Sequence, residues 1–218
     1  IRGVLLSGSS GLAEALAGEK AGSRRISAER STTRVPAGAT LFIVGSLTPT
    51  SATQCERLTA SGAAADLVLD SEKALAAPDR ELARILGLVR GISLDRPILL
   101  RTDSILPRLP EAEIRDRGTV IAKFIGAAAL AIARERKLRF IFASGGDTAA
   151  HVAKALGAER IDFTEELLPG LPYGRFRSAE LGRKLYFASK SGGFGPPEAL
   201  VAVLAQVARP SRTTSEER

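Results

Sequence analysis

The chain has 218 residues, 44% of them hydrophobic and 25% charged, a balance that excludes wholesale disorder and leaves room for one large domain or two small ones. Its 31 basic and 24 acidic residues leave a net charge of +7, which favours anionic ligands. With no Trp, two Tyr and no aromatic-interleaved basic run, a nucleic-acid partner is not expected, and with Cys55 and His151 as the sole cysteine and histidine an internal disulfide and a Cys/His zinc site are excluded.

In chain order, Val4–Leu6 is a short apolar run, followed by a Ser/Gly stretch and a helix-like Leu12–Ala17. Residues 1–17 are expected to be the remnant of a preceding domain. Residues 18–38, rich in Arg and Ser, read as a linker. The main domain is expected over 39–209, and the polar tail 210–218 is expected to be disordered. The chain opens on Ile1 and contains no Met, as expected of a fragment of a longer protein.

Within the main domain strands and helices alternate. Leu41–Val44 reads as a buried strand. Ser51–Ser61 reads as a helix stopped by Gly62. Leu67–Leu69 is strand-like. Asp79–Arg90 carries Leu82, Ile85, Leu86 and Val89 at helical spacing. Pro97–Leu100 is a strand and Thr119–Arg136 a long helix. Leu138–Ala143 is a strand, followed by a helix over Thr148–Leu156 closed by Gly157. Leu168–Arg175, with its prolines and glycines, reads as an ordered, non-regular loop. Lys184–Ser189 is the last strand and Pro197–Val207 the last helix. This alternation predicts an α/β fold, a mostly parallel, doubly wound, Rossmann-like sheet with helices on both faces. The apolar stretch Phe124–Ala133 is about half a membrane span, so no membrane partner is expected, no secretory leader is read, and the expected compartment is the cytoplasm.

In such sheets ligands bind beyond the carboxyl ends of strands. Three of those ends carry glycine and serine. After Val44 comes Gly45-Ser46, where Ser46 is placed to donate to a phosphate oxygen and where Thr50 or Ser51 would cap the next helix. After Ala143 comes Ser144-Gly145-Gly146-Asp147-Thr148, whose two glycines expose N–H groups at a helix start, an anion site. Asp147 reads either as the helix N-cap or as a magnesium partner beside phosphates, and His151 as a helix-surface residue. After Ser189 comes Lys190-Ser191-Gly192-Gly193-Phe194-Gly195. Three glycines in four positions point to unusual backbone angles or close ligand approach, and Lys190 offers a point charge to phosphate. No Walker A loop and no clean Gly-x-Gly-x-x-Gly after a strand occurs.

Taken in order, Gly45-Ser46 with Pro49-Thr50-Ser51-Ala52-Thr53-Gln54, then Gly145-Gly146-Asp147-Thr148-Ala149, then Pro169-Gly170-Leu171-Pro172-Tyr173-Gly174, then Lys190-Ser191-Gly192-Gly193-Phe194-Gly195 resemble the C-terminal nucleotide-binding domain of the four-carbon acid sugar kinase family. The stretch Gly8-Ser9-Ser10-Gly11-Leu12-Ala13 resembles the end of that family's other domain, with Ser where Ala is usual. The resemblance implies transfer of the γ-phosphoryl group of ATP to a tetronate or 3-oxo-tetronate. It implies ATP/ADP and Mg2+ as cofactors, contacted by Ser46, the Gly145-Gly146 loop and the Gly192-Gly193 loop, with Ser144, Asp147, Thr148 and Lys190 beside them and Asp147 toward the metal. It places the catalytic base in the N-terminal domain of the same protein, which also holds the sugar acid. The rival readings are a dinucleotide-binding oxidoreductase domain and a non-catalytic interaction or effector module; a homodimer is compatible with each.

Overall fold

The structure, a computed structural model, describes residues 38–45, 48–103 and 111–208. The expected remnant over 1–17, nearly all of the linker, the tail and Ser46 lie outside the described residues. From the amino end the elements are β1 (Thr40–Val44), α1 (Pro49–Ala60), β2 (Ala65–Leu69), α2 (Ser71–Ala76), α3 (Pro78–Arg90), β3 (Ile98–Thr102) and α4 (Glu111–Arg136). They continue with β4 (Phe140–Ser144), α5 (Gly146–Ala155), β5 (Asp162–Leu168), β6 (Leu171–Arg177), β7 (Lys184–Lys190) and α6 (Ala199–Val207).

The seven strands form one sheet in the order β2-β3-β1-β4-β7-β6-β5. From β2 to β7 every pairing is parallel; β6 pairs antiparallel with both β7 and β5. The expected α/β fold with a mostly parallel, doubly wound sheet is therefore the observed one. Helices cover both faces, which is why β1 and β4 are buried at every position and read as near-continuous apolar runs. On one face Leu41, Ile43, Ile141 and Ala143 pack with Ile85, Val89, Ile125 and Val152 from α3, α4 and α5. On the other, Phe42, Phe140, Phe142 and Ala188 pack with Cys55, Leu58, Leu200 and Val203 from α1 and α6.

Helix ends follow local chemistry. Pro49 and Pro78 sit in the first turns of α1 and α3, where a missing N–H costs nothing. The cap of α1 is Thr48, whose side chain accepts from Ser51 N; neither Thr50 nor Ser51, the expected caps, serves, because the helix begins before them. Gly62 and Gly157 follow α1 and α5 at φ +66, the left-handed position where glycine ends helices cheaply. α4 runs eight residues further toward the amino end than the expected Thr119, straight through Gly118. The short helix α2, capped by Asp70, is not foreshadowed in the apolar pattern.

The expected loop over Leu168–Arg175 is instead a β-hairpin: β5 and β6 join through a two-residue turn at Pro169-Gly170. Gly170 takes the turn's left-handed conformation at φ +74. Gly174 lies against the neighbouring strand, where a Cβ would fall 2.2 Å from the Asp162 carbonyl oxygen. Pro172 pairs with Glu166 beside a register irregularity, where a missing donor is tolerated. The residues that read as loop punctuation thus serve a turn and a close strand contact. Among the described residues no helix is long and apolar enough to cross a membrane.

Candidate functional site

The chain leaves β1 for β2 and β3 on one side and later returns to place β4 on the other, so β1 and β4 flank the reversal of strand order where α/β sheets open a crevice. Across that point the strand ends are level. Val44 is in register with Ser144, and Ser144 with Lys190. The three glycine-bearing segments therefore leave the sheet side by side, at neighbouring strands about 4.8 Å apart. Gly145 N donates to Lys190 O at 2.9 Å and ties the second segment to the third.

Gly145 is the N-cap of α5, at φ +106 and ψ 133, a conformation that side chains disfavour. Because α5 starts at Gly146, Asp147 lies inside the first turn, and the expected N-cap role for Asp147 is corrected: no side chain caps this helix. The first-turn N–H groups of Gly146, Asp147 and Thr148 have no partner within the helix. A Cβ at Gly146 would meet nothing within 4 Å. Asp147 is exposed. Its carbonyl oxygen lies 2.9 Å from His151 Nδ1, which places His151 along the helix surface. Thr148 is buried, and its hydroxyl packs beneath Gly45: a Cβ at Gly45 would sit 2.2 Å from Thr148 Oγ1. Ser144 is fully buried, with its Oγ unpartnered among the described residues.

Lys190 is 6% exposed, and its Nζ donates to Ser191 O at 3.0 Å and Gly192 O at 3.1 Å, folding back on its own loop. Burial pushes its pKa down to about 8; the neighbouring Cys55 opposes this slightly. Burial likewise pushes the Cys55 thiol up to about 11. Gly193 has nothing within 4 Å of a would-be Cβ and is exposed. Phe194 is half-exposed, and its ring lies over the hairpin turn, 2.6 Å from the position of a Cβ at Gly170.

Two residues of α1 enter the site without having been singled out as binding residues. Ser51 Oγ donates to Gly192 O at 2.8 Å and receives a hydrogen bond from Thr48 Oγ1 at 3.1 Å. Gln54 Nε2 reaches the carbonyls of Phe194, Gly195 and Pro196 at 3.1, 3.2 and 3.0 Å. A signal for them existed in the sequence. Ser51, Gln54, Cys55 and Leu58 share the buried stripe of one helix, and two polar residues on such a stripe require internal partners.

Residues 41–200, well over half of the chain, match the family described as nucleotide-binding C-terminal domain. The chain belongs to this family, the C-terminal domain of the four-carbon acid sugar kinases. A curated relative, the D-threonate kinase of Salmonella typhimurium strain LT2, is 28% identical over 175 residues, covering 75% of this chain and 41% of the relative. The chain thus spans about two-fifths of that relative's length. Among solved structures, a domain of unknown function from Bordetella bronchiseptica, with bound citrate and as a domain-swapped dimer, superposes with a TM-score of 0.67 at 23% identity, over 81% of this chain and 42% of its own. A Haemophilus influenzae protein with the same domain designation gives 0.60 at 18% identity, over 90% and 45% of the two chains. A Salmonella typhimurium protein described as a putative tRNA synthase gives 0.65 at 17% identity, over 78% and 41%. At these identities the structures share the fold of the nucleotide-binding domain.

Proposed function

We propose that this chain is the ATP-binding half of a kinase that transfers the γ-phosphoryl group of ATP to a hydroxyl of a four-carbon sugar acid, a tetronate or 3-oxo-tetronate. The observation that carries the reading is the level ending of β1, β4 and β7, which brings Gly45, Gly145-Gly146 and Gly192-Gly193 to one rim of the sheet. The activity named for the Salmonella D-threonate kinase supports the choice of reaction. The missing dinucleotide fingerprint disfavours the oxidoreductase reading.

Phosphoryl transfer asks chiefly for positioning and charge neutralisation. In this reading the N–H groups of Gly146 and Asp147, at the positive end of α5, and those of Gly192 and Gly193 hold the phosphate oxygens. Ser46 adds a hydroxyl donor. Thr148 and Ser144 support the strand ends from below. Lys190 contributes a positive charge beneath the loop while holding its carbonyls. Magnesium is held by one or two carboxylates, by water and by phosphate oxygens. Among the described residues no three acids, histidines or cysteines cluster tightly enough to hold a metal by themselves. The exposed Asp147 carboxylate, which caps nothing, fits the single-carboxylate role. The ion would neutralise charge on the transferred group. The catalytic base and the sugar-acid clamp come from the preceding domain of the same protein, joined through 18–38.

Titration calorimetry tests the reading. The chain is expected to bind ADP more tightly with magnesium than without, to ignore NAD, and to leave a tetronate unphosphorylated when supplied alone with ATP. A folded chain that takes up neither ADP nor ATP overturns the proposal, and a preference for NAD revives the oxidoreductase.

A further inference from the structure

Six residues, 191–196, link β7 to the turn before α6, and the carbonyls of all but Gly193 accept hydrogen bonds from side chains. Lys190 Nζ takes those of Ser191 and Gly192, Ser51 Oγ takes Gly192 a second time, and Gln54 Nε2 takes Phe194, Gly195 and Pro196. Gln54 is fully buried, and its three acceptors fix the orientation of the carboxamide: the opposite flip would aim Oε1 at three carbonyl oxygens. Its own Oε1 has no partner among the described residues. A buried amide that leaves its acceptor idle and shares its two protons among three carbonyls is placed for those carbonyls. Peptide groups are planar, so a carbonyl turned inward directs the N–H of the next residue outward. The N–H groups of Gly192, Gly193 and Gly195 follow the clamped carbonyls of Ser191, Gly192 and Phe194, and none of the three donates to a described residue.

We infer that Gln54 is a positioning residue for the nucleotide: by drawing the Phe194 carbonyl toward α1 it turns the Gly195 N–H toward the phosphates, and by holding the carbonyls of Gly195 and Pro196, which precede prolines and have no N–H opposite them, it keeps two negative dipole ends off the rim, while Ser51 and Lys190 turn the N–H groups of Gly192 and Gly193 the same way. The inference rests on the nucleotide reading above. It assigns Gln54 no contact with the ligand. The loop's affinity for anions comes from a rim on which Gly193 alone of 191–196 has a carbonyl that no side chain draws inward, since inward carbonyls remove the negative ends of the dipoles that would otherwise repel phosphate.

The test replaces Gln54 with Met, which keeps the length and helical propensity but cannot donate. Binding of ADP and of adenosine is measured in wild type and variant, together with thermal melting. The expected result is a Gln54→Met protein that stays folded, loses tenfold or more in ADP affinity, and keeps its adenosine affinity within about twofold. A variant that binds ADP as wild type does overturns the inference, and so does an equal loss for ADP and adenosine, which a merely structural role would give. If Gln54→Met does not fold, the wild-type chain still decides. ADP titration followed by amide NMR is expected to shift the Gly195 N–H resonance together with those of Gly192 and Gly193, and an unshifted Gly195 resonance with ADP bound overturns it. A wild type that binds no ADP at all instead strikes the nucleotide reading itself.

Discussion

Gly45 and Thr148 are in contact across the first and second glycine segments: a Cβ on Gly45 would lie 2.2 Å from Thr148 Oγ1 and 3.1 Å from Ile125 Cδ1. The first is a distance that real side chains do not tolerate, so glycine at 45 is what lets the end of β1 settle onto the first turn of α5. The side chain of Thr148, a residue read from sequence as a candidate nucleotide contact, takes part in this packing, while its first-turn N–H has no partner within the helix.

Replacing Gly45 with Ala is therefore expected to destabilise the domain by about 1–3 kcal/mol through overpacking. Thr148→Ala removes the obstructing hydroxyl, so the double variant should recover a large part of that loss, a non-additive coupling that urea denaturation of all four proteins would read. Additive effects would mean that α5 shifts to make room for the new methyl group.

Gly145 and Gly193 separate backbone strain from ligand approach. Gly145 stands at φ +106, where a side chain costs on the order of 1–3 kcal/mol. Gly193 has no such angle and has open space around it. Gly193→Val is expected to leave the melting temperature nearly unchanged while weakening ADP binding tenfold or more. Gly145→Val is expected to lower both. Calorimetry and melting curves check the pair, and undiminished ADP binding by Gly193→Val would remove this loop from the phosphate site.

Lys190 and Cys55 predict an unusual pH dependence of stability. Burial lowers the Lys190 pKa from its ordinary 10.5 to about 8. Between those values the unfolded chain binds more protons than the folded one, so stability rises with pH, by up to about 1.4 kcal/mol per unit. Cys55 acts in the opposite sense, its thiol held from 9.0 up to about 11, so stability falls between those values. Denaturation at fixed pH should therefore show a rise from pH 8 to 9 and a near-plateau from 9 to 10. Cys55→Ala should continue rising through that plateau, and Lys190→Met should show no rise from 8 to 9.

The strand-and-helix alternation, the parallel sheet and the ends of β1, β4 and β7 were legible in the chain because buried strands leave apolar runs and because glycine after a strand marks a tight departure. The same reasoning misplaced the β5–β6 hairpin. Pro169, Gly170, Pro172 and Gly174 carry the marks of a loop, and only the neighbouring strand shows that Gly174 makes room for a backbone and that Gly170 turns the chain. The helix start at Gly146 was likewise two residues earlier than its composition suggests, because Gly145 rather than Asp147 supplies the non-helical cap conformation.

Local composition thus determined that this protein would carry glycine-rich bends at the carboxyl ends of parallel strands. Which strands are neighbours depends on pairing between residues about 46 to 100 positions apart, as with Val44, Ser144 and Lys190, and no local propensity encodes that. The tertiary structure alone decided that Lys190 points into its own loop, that Thr148 packs under Gly45, and that Ser51 and Gln54 hold carbonyls some 140 residues away. The physical reason is that a polar side chain's partner is set by what the fold buries beside it, whereas the need for some partner is already set by the chain.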